Sequence, residues 1–163
     1  MDQAISVFDS ASDDDTLGDV ENRKQAAIKI IDKMRWGKDG KGYFWIQYTK
    51  GDMVHHPIKP SLDGKNLLDM KDPDGKLFFQ EMDDVAKRDG AGFVDYKWPK
   101  PGFEDPVYKI SYVKLFKPWG WIIGGGVYLE STEEQSKQSA LRSIGSIRYG
   151  KDNSGYFFIL LFP

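Results

Sequence analysis

His55 and His56, the two histidines of the chain, stand side by side at the end of the run Met53-Val54-His55-His56. Imidazoles can ligate a metal, act as a general base or donate to an anion, and their setting chooses among these. Adjacent strand residues point to opposite faces, so the pair cannot easily share one ion. As a general base, His56 would act near Lys114, yet no serine or carboxylate is evidently placed as nucleophile or orienting partner. The chain has no cysteine, which excludes thiolate catalysis, disulfides and cysteine-ligated zinc or iron–sulfur centres. Lys114 shares one strand face with Tyr108, Ile110, Tyr112 and Phe116; a lysine in that setting is a snorkelling edge residue or a ligand partner.

Two loops mimic other sites and fall short of them. Gly37 to Gly42 reads GKDGKG, but it precedes a strand and has no helix N-terminus behind it to cradle a phosphate. Asp69, Asp72 and Asp74 suggest a calcium loop, yet the position that would close a twelve-residue EF-hand loop from Asp69 is Gln80. A solvated turn is the expectation there. No metal and no cofactor are expected.

The elements that must position these residues are legible from periodicity. Tyr43, Trp45 and Gln47 alternate with Phe44, Ile46 and Tyr48, and Lys50-Gly51-Asp52 turns the chain into Met53–His56 before Pro57 stops the ladder. Asp2 to Ala11 can form a short helix, interrupted by the serines and the acidic run Asp13-Asp14-Asp15, read as solvated linker. Ala27, Ile30, Ile31 and Met34 predict a helix over Leu17 to Trp36. Ile58 to Lys76 is a long loop, of the sort that forms functional lids. A helix over Leu77 to Asp89 buries Phe78, Met82 and Val85. Strands follow at Phe93–Trp98, Val107–Phe116 and Trp121–Leu129, the last with Gly124-Gly125-Gly126 at its centre, where backbone or ligand can approach closely. The fold class is therefore α+β, with five antiparallel strands backed by helices.

Composition narrows the partners. A formal charge of −2, spread along the chain, carries neither the basic stripe of a nucleic-acid binder nor a polybasic membrane patch. No apolar run approaches the ~20 residues needed to span a bilayer. The chain also repeats itself: Met34–Ile46 reads MRWGKDGKGYFWI and Ile147–Ile159 reads IRYGKDNSGYFFI, with eight of thirteen positions identical. One module is expected from about Leu17 to Leu129, and a second begins at its linking helix and stops after one strand. An unpaired apolar strand invites edge pairing, so Tyr156–Phe162 is expected to dock on the first module or to exchange with another chain, a homodimer through residues 155–162.

Three segments together resemble one family: GYFWI with HHPIKPSLDGKNL, then GFVDYKWPKPG, then KISYVKLFKPWGWIIGGGVYLE. They are similar to the type 2 Cache sensor module of bacterial chemoreceptors, sensor histidine kinases and cyclic-dinucleotide enzymes. The resemblance implies a PAS-like five-stranded sheet behind a long N-terminal helix. It also implies a periplasmic or extracellular location in a membrane-anchored parent, and recognition of a small organic acid of the acetate, propionate, pyruvate or lactate class. Residues 1–16 would be an N-terminal helix and linker, 17–129 the Cache domain, and 130–163 a C-terminal helix and first strand of a second repeat. The sequence departs from the family at Gly125, where threonine is frequent. Carried over by motif, the ligand-binding candidates are Trp45, His56, Tyr96, Tyr112 and Lys114. Their chemistry agrees, because a buried carboxylate needs charge-assisted donors to offset its desolvation. All five arginines fall on predicted helices, which favours a lysine over a guanidinium clamp unless Arg35 reaches in from its helix end.

The expected function is non-catalytic: ligand binding closes the loop Ile58–Lys76 and the change passes through the terminal helices to a signalling domain. The competing reading is a carbohydrate-binding module, which requires Trp98, Trp119 and Trp121 in a solvent-facing row.

Overall fold

The alternating segments pair as antiparallel strands, and the computed structural model describes residues 1–37 and 39–129. In chain order the elements are α1 (Asp2–Asp13), α2 (Val20–Ile31), β1 (Arg35–Trp36), β2 (Gly42–Tyr48), β3 (Met53–His55), α3 (Phe78–Asp89), β4 (Ala91–Pro99), β5 (Pro106–Phe116) and β6 (Trp121–Tyr128). The sheet runs β1-β2-β6-β5-β4, with β3 also paired to β2. It therefore has six strands, one more than expected. The addition is β1, whose Arg35 and Trp36 were expected to end a helix and instead pair with Tyr43 and Gly42. Gly42 makes this possible, since any Cβ there would collide with the Trp36 indole. Arg35 thus leaves the helix, and its guanidinium donates to the Asp32 and Met34 carbonyls rather than to a pocket.

The expected short helix, linker and second helix form as two helices of 12 residues each, the second ending at Ile31 rather than at Trp36. Asp14 accepts from the Thr16 backbone N–H at 2.9 Å, Gly18 takes φ +88°, and Asp19 caps α2 by accepting from the Asn22 backbone N–H at 2.9 Å. Side-chain acceptors at these positions satisfy the free N–H groups of a helix start, so they end one helix and begin the next. Asp15 is solvent-exposed, as expected of the acidic run, and pairs with Arg23 at 2.7 Å.

One face of the sheet meets α1 and α2: Ala4, Phe8, Ala11, Ala27 and Ile31 close over Phe44, Ile46, Phe116, Trp121 and Ile123. The other meets α3, where Phe78, Phe79, Met82 and Ala86 close over Tyr43, Trp45, Val94, Tyr96, Trp98, Val113 and Ile122. α3 ends at Gly90, in the left-handed conformation that glycine tolerates.

This arrangement removes the carbohydrate reading. Trp98 is buried in the α3 layer, Trp121 is buried in the α1/α2 layer on the opposite side, and Trp119 packs edge-on to Trp121. They form no solvent-facing row.

The segment 58–76 is strapped to the hairpin. Gly64 N–H donates to the Met53 carbonyl, Met53 N–H to Lys65 and Leu67 N–H to Gly51, so the loop behaves as an irregular extra strand beside β3. Its far end is pinned by Asp72, a buried carboxylate accepting from the backbone N–H groups of Asp74, Lys76 and Lys97. Asp72 was expected to lie in a solvated turn; here it ties the loop to β4. Residues 130–163, including the second copy of the repeat and the strand proposed for exchange, lie outside the described residues.

Candidate functional site

A β-bulge decides which histidine meets the α3 side. β2 and β3 pair Gln47 with Met53 but Ile46 with His55, so Val54 is the extra residue. Without it, strict alternation would place His55 on the same side as Met53. With it, Val54 and His55 both face the α1/α2 side, and His56 turns to the α3 side against Tyr43 and Trp98, with ring centroids 5.1 and 5.9 Å away.

The His56 ring is fixed by backbone. Its Nδ1 accepts from the N–H of Lys59 at 2.9 Å and of Ile58 at 3.3 Å, so the ring proton belongs on Nε2. Burial pushes the imidazole pKa down to about 3, and the nearby Lys109 charge pushes it the same way. His56 is therefore a neutral donor through Nε2–H.

The centre of the site is a residue the sequence reading passed over. Tyr96 on β4, Lys109 on β5 and Tyr128 on β6 sit directly opposite one another across three strands, on the face that α3 covers. Lys109 is 1% exposed. Its Nζ donates to the Tyr43 hydroxyl at 3.0 Å and lies 4.3 Å from the Tyr43 ring centre, 4.9 Å from those of Trp45 and Tyr128, and 5.9 Å from that of Tyr96. Burial holds its pKa well below the usual lysine value, and Lys59 adds like-charge repulsion. Among the described residues no carboxylate pairs with it. A buried ammonium held by one hydroxyl and four aromatic rings is poorly compensated, since ring quadrupoles return far less than ion hydration.

Hydroxyl groups surround this cation. Tyr43 and Tyr128 share a hydrogen bond of 3.3 Å, Tyr128 donates to the Pro99 carbonyl at 3.1 Å, and Tyr96 and Ser111 share one of 3.0 Å. Burial raises the Tyr43 phenol to about 12 and lifts those of Tyr96 and Tyr128 as well, so all three keep their protons. Trp45 lies flat over Gly124, where a Cβ would collide with the indole. The central glycine thus makes room for a tryptophan wall. Lys59 rests its Nζ 4.3 Å over Trp98 at the edge of the cluster.

Of the five candidates, Trp45, His56 and Tyr96 come together here. Tyr112 and Lys114 do not: each stands an odd number of positions along the strand from Lys109, so they project from the other face of β5. Tyr112 packs on Phe93 at 4.8 Å, and Lys114 lies 3.5 Å from Asp2 of α1. Gly125 also faces that side, against Phe44 and Trp36, so the departure from the family pattern falls away from the Lys109 cluster. The signal for Lys109 was present in the hairpin: counting back from Pro99 and forward from Pro106 sets Lys109 opposite Tyr96. The described residues hold no group of three or more histidine, aspartate or glutamate side chains able to bind a metal.

A Cache domain family model matches residues 1–162. The chain belongs to the Cache domain family. This Cache chain is 42% identical over 129 residues to the methyl-accepting chemotaxis protein McpP of Pseudomonas putida, a match covering 77% of the chain and 23% of that protein. It is 36% identical over 131 residues to the sensor histidine kinase MctS of Rhizobium johnstonii, covering 80% of the chain and 27% of the kinase. The chain thus spans about a quarter of the length of these curated relatives. Two solved structures superpose with a TM-score of 0.74 each. One, a periplasmic sensor domain of a chemotaxis protein, is 39% identical, with 79% of this chain and 90% of that one covered. The other, described as the structural basis for carboxylic acid recognition by a Cache chemosensory domain, is 41% identical, with 79% and 88% covered. The expected fold class stands, and the chain is a Cache domain of the kind carried by chemoreceptors and sensor kinases. No described helix is long and apolar enough to cross a membrane.

Proposed function

We propose that this Cache domain binds a small organic acid of the acetate, propionate, pyruvate or lactate class at Lys109 and relays its presence to a signalling domain of a membrane-anchored parent, from the periplasmic or extracellular side. The observation that carries the proposal is the buried Lys109 ammonium, which has hydroxyl and ring neighbours but no carboxylate partner among the described residues. A ligand carboxylate beside Nζ supplies the missing countercharge, and the Nε2–H of His56 and the Tyr96 hydroxyl are donors for its oxygens. Trp45 and Trp98 wall the alkyl end and limit its length. Binding rather than catalysis is the reading that the chemotaxis-receptor and sensor-kinase relatives support. The carboxylic-acid recognition attributed to the similar chemosensory domain supports this reading. The repeat at 147–159 supports a tandem arrangement of such modules in the parent.

The test is a thermal-shift and calorimetric series of two- to four-carbon monocarboxylates, with their amides as neutral controls. A ligand that binds only the native state raises Tm. Acids that raise Tm while amides do not, with the response lost in Lys109→Met, support the site. Equal responses from acids and amides, or an unchanged acid affinity in Lys109→Met, overturn it.

A further inference from the structure

The bulge in β3 leaves His55 without a role in the ligand cluster, yet half-buried and closely held. Its Nε2 lies 2.8 Å from Asp32 Oδ1, and Asp32 is the residue that caps the C-terminal end of α2. Its Nδ1 faces Asp63 Oδ2 at 3.8 Å. The other oxygen of Asp63 accepts the backbone N–H of His56 at 2.8 Å, so the same carboxylate that faces His55 holds the peptide of the ligand-side histidine. His56 is tied further to this loop through its Nδ1 and the Lys59 N–H. One polar path therefore runs from the His56 peptide through Asp63 and His55 to the end of α2.

This path crosses the sheet edge, where the two layers meet. Apolar neighbours can slide with little change in energy, whereas a hydrogen bond of 2.8 Å between a ring and a carboxylate is steeply sensitive to distance and angle. A displacement of His56 or its loop by a few tenths of an ångström is therefore felt at Asp32 more sharply than through the packed side chains.

We propose that His55 is the positioning residue that transmits occupancy of the Lys109 cluster to α2. It touches no ligand; it sets the position of the α2 end through Asp32 and that of the His56 peptide through Asp63. The inference rests on the proposed function, since it takes the Lys109 cluster as the ligand site.

The experiment uses the chain as given, with sodium propionate as probe, and reads amide hydrogen exchange over residues 20–31 with and without ligand, alongside affinity by calorimetry. Two variants break the link from different ends: His55→Gln, and Asp32→Asn, which lies on the half-exposed end of α2. Expected is a propionate-dependent change in α2 exchange in the parent, with propionate Kd held within about threefold in both variants while the α2 change falls to a small fraction. Exchange in α2 that responds equally in parent and variants overturns the proposal, as does loss of affinity in step with the lost response, which would make His55 part of the binding site. If the parent binds propionate and α2 does not respond, the inference fails alone. If the parent binds no acid of the series, the proposed function fails first and this inference with it.

Discussion

The two faces of one sheet are built by alternate residues of the same strands, and they have opposite chemistry. On the α1/α2 side, Phe8 meets Phe116, Trp119 and Trp121 at 5.3–5.9 Å, in tilted and edge-to-face contacts. On the α3 side lie the buried polar residues of the described chain: Gln47, His56, Asp72, Asp83, Lys109 and Ser111. Burying apolar area stabilises, and burying an unpaired ammonium costs. The first face holds the sheet together, and the second carries Lys109, a buried cation whose cost the proposed ligand would offset.

The comparison breaks most visibly if the apolar face is emptied. Phe8→Ala should lower stability by about 3–5 kcal/mol in urea unfolding, while leaving acid affinity unchanged in the molecules that remain folded. Equal losses of both would mean that the faces are not separable. On the polar face the sign reverses. Lys109→Met should weaken acid binding by about 2–5 kcal/mol, measured by calorimetry, yet leave the ligand-free protein as stable or more stable, because an uncompensated buried charge has gone. A strongly destabilised Lys109→Met would show that the lysine has an internal partner.

Acid sharpens the contrast further. The folded pKa of His56 lies near 3 against an ordinary 6.5, so in this window the unfolded chain binds the proton that the folded site refuses. Stability must then fall as pH drops through 6.5 towards 3, by up to about 1.4 kcal/mol per unit from this residue, and be flat above. His56→Gln should lose most of that slope between pH 7 and 5 in urea titrations. An unchanged slope would assign it to the carboxylates instead. Smallest of all, Lys114→Met should change stability and acid affinity by no more than ~0.5 kcal/mol, since its contact with Asp2 is a surface pair. A large loss of affinity would restore Lys114 to the site.

Lys109 and Lys114 show what could be read in advance. Alternation alone separates them onto two faces, but it does not say which face meets the ligand. That depends on strand pairing and on which helices cover each side. Trp45 and Tyr96 were legible as aromatic positions within recognisable motifs. The orientation of His56 was not derivable from period two, because the single inserted residue Val54 inverts the parity of everything after it. The break at Asp14–Asp19 was written in capping residues and a glycine, but the apolar spacing of α2 ran on through Met34 and masked the turn into β1.

The strapping of segment 58–76 to the hairpin has a consequence for sensitivity. A two-carbon acid has about four heavy atoms, and even the best small ligands return only about 1.5 kcal/mol for each. Folding a loop of this length on binding would consume more than that, at about 1–2 kcal/mol per ordered residue. By keeping Gly64, Lys65 and Leu67 bonded to Met53 and Gly51, the protein holds this segment folded in advance. A detector built this way can register molecules too small to organise their own binding site.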